Sequence, residues 1–269
     1  MNLHLQPVIR LPRTSVDKGT FASGNRLLPE ETPVALTYDG STHAVMMASP
    51  ADLEDFGLGF SLSEGIVAGA DELLSTEIVQ HELGCEIRMW LSESRRGVYR
   101  TRRRAITGPV GCGLCGVESL EEAVRPAPKV YGTLQLPPEA IASAMADLSE
   151  AQRLNREARA IHAAALWRPH HGLVAIREDV GRHNALDKLA GALAKAGESC
   201  SAGMVLLTSR VSVEMVQKAA HMGAPIIAAI SAPTALAVRV AESSGITLVA
   251  VAREESFEVF THPGRVQNS

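Results

Sequence analysis

The sequence predicts an α/β fold for its C-terminal half, preceded by a smaller α+β region, on three observations. Over residues 172–252 short apolar runs alternate with amphipathic stretches of helical length, which is the signature of βαβ units and a mostly parallel sheet covered on both faces. Residues 33–91 instead carry paired β-rich runs around one helical stretch. Between these regions Pro126, Pro128, Pro137 and Pro138 mark a connection. A chain of 269 residues, 46% of them hydrophobic, can form one large or two modest domains. The expected division is an irregular arm over 1–30, an α+β domain over 31–125, and an α/β domain over 126–269.

The elements follow in order. Asp39-Gly40 between two β-rich runs in 33–48 is a strong hairpin signal. Ser49 then suits an N-cap, with Pro50 at the first helical position and Asp52 closing a capping-box pattern. That helix is expected to continue through Phe56 and Phe60 towards Glu64-Gly65. Strands are expected over 77–83 and 85–91, and the arginines at 95–104 as a solvated strand or loop face. Residues 139–166 are Ala-rich and read as helical. Strands over 172–178, 203–208, 225–231 and 246–252 alternate with helices over 183–196, 212–222 and 234–243. Phe257 to Thr261 could add an edge strand.

A net charge of −4 argues against general nucleic-acid binding. Neither an apolar signal core nor a run of 18 apolar residues occurs, so a cytoplasmic protein is expected. Four cysteines, Cys85, Cys112, Cys115 and Cys200, are too few for a disulfide scaffold. In a reducing compartment a Cys-x-x-Cys pair is more often catalytic or metal-binding than structural.

That pair is Gly111-Cys112-Gly113-Leu114-Cys115-Gly116, preceded by Arg95, Arg96, Arg100, Arg102, Arg103 and Arg104. Nearby positive charge favours thiolate, the reactive form, and the glycines let a large partner approach. Four readings compete. Zinc would need further ligands, which Cys85 and Cys200 could supply only through long-range folding. A thioredoxin-like redox pair belongs just after a strand within a βαβ unit, and this pair precedes that region. A structural role suits a glycine-rich loop poorly. In the fourth reading, sulfur carriage, Cys112 attacks the sulfane sulfur of a donor persulfide, and Cys115 then assists its release.

A second site is expected where ligands bind in open α/β sheets, beyond the carboxyl ends of the strands. Those ends are Asp179-Val180-Gly181-Arg182-His183, Thr208-Ser209-Arg210, Ser231-Ala232-Pro233-Thr234 and Arg253-Glu254-Glu255-Ser256. Helix N-termini and arginines there suit phosphate, so a nucleotide-sized anion is expected. Asp179, Thr208, Ser212 and Thr234 also suit simple helix caps, and His162 and His183 suit hydrogen-bonded structural histidines.

The stretch Thr107-Gly108-Pro109-Val110-Gly111-Cys112-Gly113-Leu114-Cys115-Gly116-Val117-Glu118 resembles the signature of the formate dehydrogenase accessory sulfurtransferases, the FdhD family. Val45 to Pro50 continuing to Gly59–Gly65, Glu178 to Lys188, and Glu214 to Lys218 agree with it. These segments span roughly residues 33–265.

The resemblance implies a sulfurtransferase that carries sulfur as a persulfide from a cysteine desulfurase to the molybdenum bis(molybdopterin guanine dinucleotide) cofactor of formate dehydrogenase, or its tungsten analogue. It makes Cys112 the persulfide bearer and Cys115 its companion. It puts cofactor contacts on Val251, Ala252, Arg253, Glu254, Glu255 and Ser256. It also implies a cytidine-deaminase-like, three-layer C-terminal domain and a homodimer. Two positions depart from the family pattern: Ala158-Arg159-Ala160 replaces a Thr-Gly-Gly-like turn, and Glu254-Glu255 adds negative charge to the cofactor loop. Zinc deaminases need a His-x-Glu motif, whereas Ala164 follows His162-Ala163, so neither deamination nor a zinc requirement is expected. The alternative from another class is a nucleotide-binding redox or zinc-stabilised regulatory module.

Overall fold

The computed structural model describes residues 6–106, 127–253 and 256–267. The Cys112/Cys115 loop and Glu254-Glu255 lie outside the described residues.

Residues 8–29, expected to be irregular, form an antiparallel hairpin of β1 (Val8–Asp17) and β2 (Thr20–Pro29). Both of its faces are largely exposed, so selection for an apolar-polar alternation, the usual strand signal, is missing. Only its base packs, with Val8 against Leu154, Ala158 and Ile161.

The four-stranded sheet has the order β4-β3-β6-β5. It comprises β3 (Thr32–Tyr38), β4 (Ser41–Ala48), β5 (Leu73–His81) and β6 (Gly84–Leu91). Asp39 and Gly40 take φ of 46° and 78°, the doubly left-handed turn that the sequence signal requires.

Helix α1 (Leu53–Ser63) starts after Asp52, three residues later than the capping pattern suggests, and Ser49 does not cap it. Phe56 and Phe60 pack against Val34, Leu36, Ile87 and Met89 of the sheet. The arginine run is helix α2 (Glu93–Ile106), not a strand or loop. Arg95 is bonded to Glu72 (2.6 Å) and Arg96 to Asp39 (3.2 Å), which anchor its first turn.

The expected helix over 139–166 is three elements: α3 (Pro138–Ala151), α4 (Arg153–Ala158) and strand β7 (His162–Arg168). Alanine favours helix in isolation, but β7 is buried on both faces and its alanines let layers approach from each side. Arg159 closes α4 in a left-handed conformation, φ 55° and ψ 30°, at the position where the family pattern suggests glycine.

The remaining elements lie close to expectation. They are β8 (Gly172–Asp179), α5 (Arg182–Ala196), β9 (Met204–Leu207), α6 (Val213–His221), β10 (Ile226–Ala229), α7 (Ala235–Ser244), β11 (Thr247–Arg253) and β12 (Ser256–Val259). The six strands run β12-β11-β10-β9-β7-β8. The sheet is mixed rather than mostly parallel: β9, β10 and β11 pair in parallel, while β7 inserts antiparallel between β8 and β9, and β12 is antiparallel to β11.

Alternation along the strands builds three layers. Ala163, Ala165, Met204, Leu206, Ile226, Ala228 and Val249 meet Ile141, Ala144 and Leu148 of α3. Ala164, Leu166, Val205, Leu207, Ile227 and Leu248 meet α5, α6 and α7 through Leu186, Leu189, Met215, Val216 and Ala237. The two halves join where α1 crosses α5. Gly59 and Gly191 sit at this crossing, where a Cβ on Gly59 would lie 1.6 Å from the Asp187 carbonyl oxygen.

Candidate functional site

Strands β8, β9, β10 and β11 point the same way, so their carboxyl ends share one edge of the sheet. The start of antiparallel β7 brings His162 to that edge, opposite Asp179. The four strand ends that lead into the expected loops therefore converge. Backbone bonds lace them together: Thr234 N–H to Val211 O (2.9 Å), Ile230 N–H to Leu207 O (3.0 Å) and Thr208 N–H to Ala163 O (3.1 Å).

Asp179 is fully buried and has no capacity left for a ligand. Its Oδ2 accepts from Lys188 Nζ (2.6 Å) and Ser49 N–H (2.9 Å). Its Oδ1 accepts from Gly181 N–H (2.7 Å) and Asn184 Nδ2 (3.0 Å). Lys188 also donates to Ser49 O (2.9 Å), Asn184 to Met47 O (2.8 Å), and Val180 N–H to Ser49 Oγ (3.1 Å). This clasp joins the end of β4 to the start of α5, and it fixes the turn that presents Arg182 and His183. Of its members, sequence reasoning treated Ser49 as a cap and assigned Lys188 no contact. The signal for the latter was Asn184 and Lys188 at i, i+4 on the apolar face of a helix.

The other caps divide. Thr234 caps α7 by accepting from Ala237 N–H (3.2 Å), and Thr208 Oγ1 accepts from Ala163 N–H (2.8 Å). Ser212 stands at the N-cap of α6 but makes no side-chain cap bond. Among the described residues its Oγ is buried without a partner, as is Arg182 Nε on the neighbouring helix. Two orphaned donors at adjacent helix starts are costly unless something supplies acceptors, and an oxyanion does so.

Lys218 is bidentate to Asp187 (2.6 and 2.7 Å), which also accepts from Ser63 Oγ (2.7 Å). His183 Nε2 lies 3.3 Å from Glu214. Burial, with Arg182 nearby, pushes the His162 pKa below its ordinary 6.5; burial also lowers that of His183, against the pull of Glu214. At neutral pH the positive charge at the edge therefore comes from arginine. Both Arg210 and Arg253 are exposed and, among the described residues, have no ion-pair partner.

Of the expected cofactor segment, Val251, Ala252, Arg253 and Ser256 are described. Val251 takes φ 54°, a costly conformation for a β-branched residue, at a shift in register between β11 and β12. Ala252 turns its side chain into the core below α3, leaving only its backbone for a ligand. Ser256 Oγ donates to Arg253 O (3.1 Å).

Cys85 and Cys200 sit in separate cores, one beneath the four-stranded sheet and one beneath α5. Burial raises both thiols, Cys200 to about 12, so neither supplies thiolate. Their separation also means that they cannot complete one metal site together.

Fold and edge together define a mixed α/β protein with arginines and helix starts gathered at one sheet edge and two buried cysteines. The chain belongs to the FdhD/NarQ family, whose profile matches residues 29–267. It is 54% identical over 258 residues to the sulfur carrier protein FdhD of Agrobacterium fabrum, covering 96% of this chain and 95% of that one. It is 51% identical over 240 residues to the FdhD of Cupriavidus necator, covering 89% and 83%. The crystal structure of a formate dehydrogenase accessory protein from Desulfotalea psychrophila superposes with a TM-score of 0.78 at 27% identity, covering 97% of this chain and all of that one.

Proposed function

We propose that this protein is a sulfur carrier for the maturation of formate dehydrogenase, acting through a persulfide on Cys112. The observation that carries this reading is the division of its thiols. In a chain that matches named sulfur carriers almost end to end, Cys85 and Cys200 are buried with raised pKa values. Carriage therefore falls to Cys112 and Cys115.

The Cys112 thiolate attacks the outer sulfur of a cysteine desulfurase persulfide, forming the Cys112 persulfide and releasing the desulfurase thiolate. Attack by Cys115 on the Cys112 Sγ then forms a Cys112–Cys115 disulfide and expels the outer sulfur as hydrosulfide. The recipient is the molybdenum bis(molybdopterin guanine dinucleotide) cofactor, as cargo. Its phosphates suit the orphaned Arg182 Nε and Ser212 Oγ, with Arg210 and Arg253 at the rim and the backbone of Val251 and Ala252 on the neighbouring strand. In this reading the protein works in the cytoplasm as a homodimer, without nucleic acid or zinc. The segments 31–125 and 126–269 act as two domains, the second cytidine-deaminase-like.

Intact-mass measurement after incubation with desulfurase and cysteine tests the carrier. One added sulfur atom is expected on the wild type and none on Cys112→Ala. A bound metal or an internal disulfide without added sulfur would instead mark a nucleotide-binding redox or zinc module. Guanosine diphosphate titration tests the edge: Arg182→Ala is expected to weaken binding by about tenfold or more. An unchanged affinity removes the edge from the reading.

A further inference from the structure

A second concentration of positive charge lies away from the sheet edge. Arg10 and Arg13 on β1, Arg26 on β2 and Arg159 after α4 line a groove of about 370 Å³, with Asn25, Leu27 and Glu157 completing it. Several arginines elsewhere are matched, Arg88 with Glu86, Arg95 with Glu72, Arg168 with Glu198 and Arg177 with Asp55, whereas Arg210 and Arg253 at the sheet edge are not. Among the described residues none of the four groove arginines has an ion-pair partner, and a single carboxylate, Glu157, shares the groove with them. Like charges gathered around a small volume repel one another, a repulsion that solvent screens and a bound anion relieves.

Arg159 supports the same reading. It sits in the left-handed region at φ 55°, donating its N–H to Asn155 O at 2.7 Å. Glycine or asparagine is the usual residue there. An arginine accepts the backbone cost and contributes a guanidinium to the groove.

We infer that this groove is a binding site for a compact polyanion carrying two or more phosphate groups. Planar guanidinium forks match phosphate oxygens in pairs. Among the described residues Leu27 is the only apolar side chain in the lining, and none supplies an aromatic ring to stack on a base. Recognition is thus directed at the phosphates, whether they are free or form the end of a nucleotide.

Titrating inorganic pyrophosphate into full-length Arg182→Ala protein isolates the groove from the sheet edge. Binding is expected, weakening with salt, and lowered by about tenfold or more in an added Arg10→Ala/Arg26→Ala pair. Those side chains lie on an exposed hairpin, and an unchanged thermal midpoint confirms the fold. Glu157→Gln removes the opposing charge and is expected to tighten binding about threefold. Guanosine diphosphate in the same background separates the sources: equal affinity means that any terminal diphosphate is taken, and weaker affinity means that a free anion is preferred. No binding of pyrophosphate, or binding unaltered by the arginine substitutions, overturns the assignment. In the otherwise wild-type Arg10→Ala/Arg26→Ala protein, guanosine diphosphate binding at the sheet edge should persist, because Arg182 there is untouched.

Discussion

Lys188→Met is expected to cost about 3–5 kcal/mol of stability, the usual result of leaving one partner of a buried ion pair alone. Both side chains are fully buried, 2.6 Å apart, and the ammonium also donates to Ser49 O. Methionine removes the charge and leaves Asp179 with three neutral donors, Ser49 N–H, Gly181 N–H and Asn184 Nδ2. The Ser49 carbonyl loses one of its two donors and keeps Ala51 N–H (2.8 Å). Phe56, whose ring centre is 5.9 Å from Nζ, loses a cation above its face. Chemical denaturation measures the difference, and a change below about 1 kcal/mol would show that the remaining hydrogen bonds suffice. Because the clasp also sets the Arg182 turn, guanosine diphosphate binding is expected to weaken in variant that still folds. Replacing Asp179 and Lys188 together by leucine and methionine should be milder than the single change, since no charge is left stranded.

Gly191→Ala is expected to be comparably severe through shape alone. A Cβ at this position would lie 1.9 Å from the Asp55 carbonyl oxygen and 2.9 Å from Gly59 N. Both are helix backbone atoms, so no side-chain rotation relieves the clash and α1 must move off α5. The movement would disturb Arg177 and Lys195, which meet the Asp55 carboxylate at 2.7 and 3.0 Å. A loss of about 3 kcal/mol or more follows, a fall in thermal midpoint of roughly 6–12 °C for a chain of this size. Gly97→Ala is the control. Gly97 lies within α2 with no described atom within 4 Å of its would-be Cβ, and there alanine should add about 0.5–1 kcal/mol. If both substitutions have equal effects, close packing at the crossing is not what limits stability.

The C-terminal α/β half was legible because its strands are short apolar runs and its helices alternate with them. The convergence of its loops followed from that pattern. Strand β7 was not legible: Ala163, Ala164 and Ala165 favour helix until tertiary contacts cover both faces of the strand. The β1–β2 hairpin lacked alternation because neither face is buried along most of its length. At Ser49-Pro50 the local capping pattern lost to a distant one, since the serine is used by Asp179, Val180 and Lys188. In the site, Arg182 and Ser212 could be placed at helix starts from sequence, but their orphaned atoms depend on packing that no local pattern records. The Lys188–Asp179 pair is legible only in outline, as two charges in a motif whose burial depends on the other half of the molecule.

The clasp has a consequence for how the protein is made. Ser49 meets its partners 130 to 139 positions later in the chain. During synthesis, at roughly 5–20 residues per second, the first sheet must wait on the order of ten seconds for Lys188 to be added. Through that interval the polar end of β4 is without its closing contacts, and the growing polypeptide depends on ribosome, solvent or chaperone for protection. Maturation of the nascent chain is therefore gated late, by the arrival of a single helix.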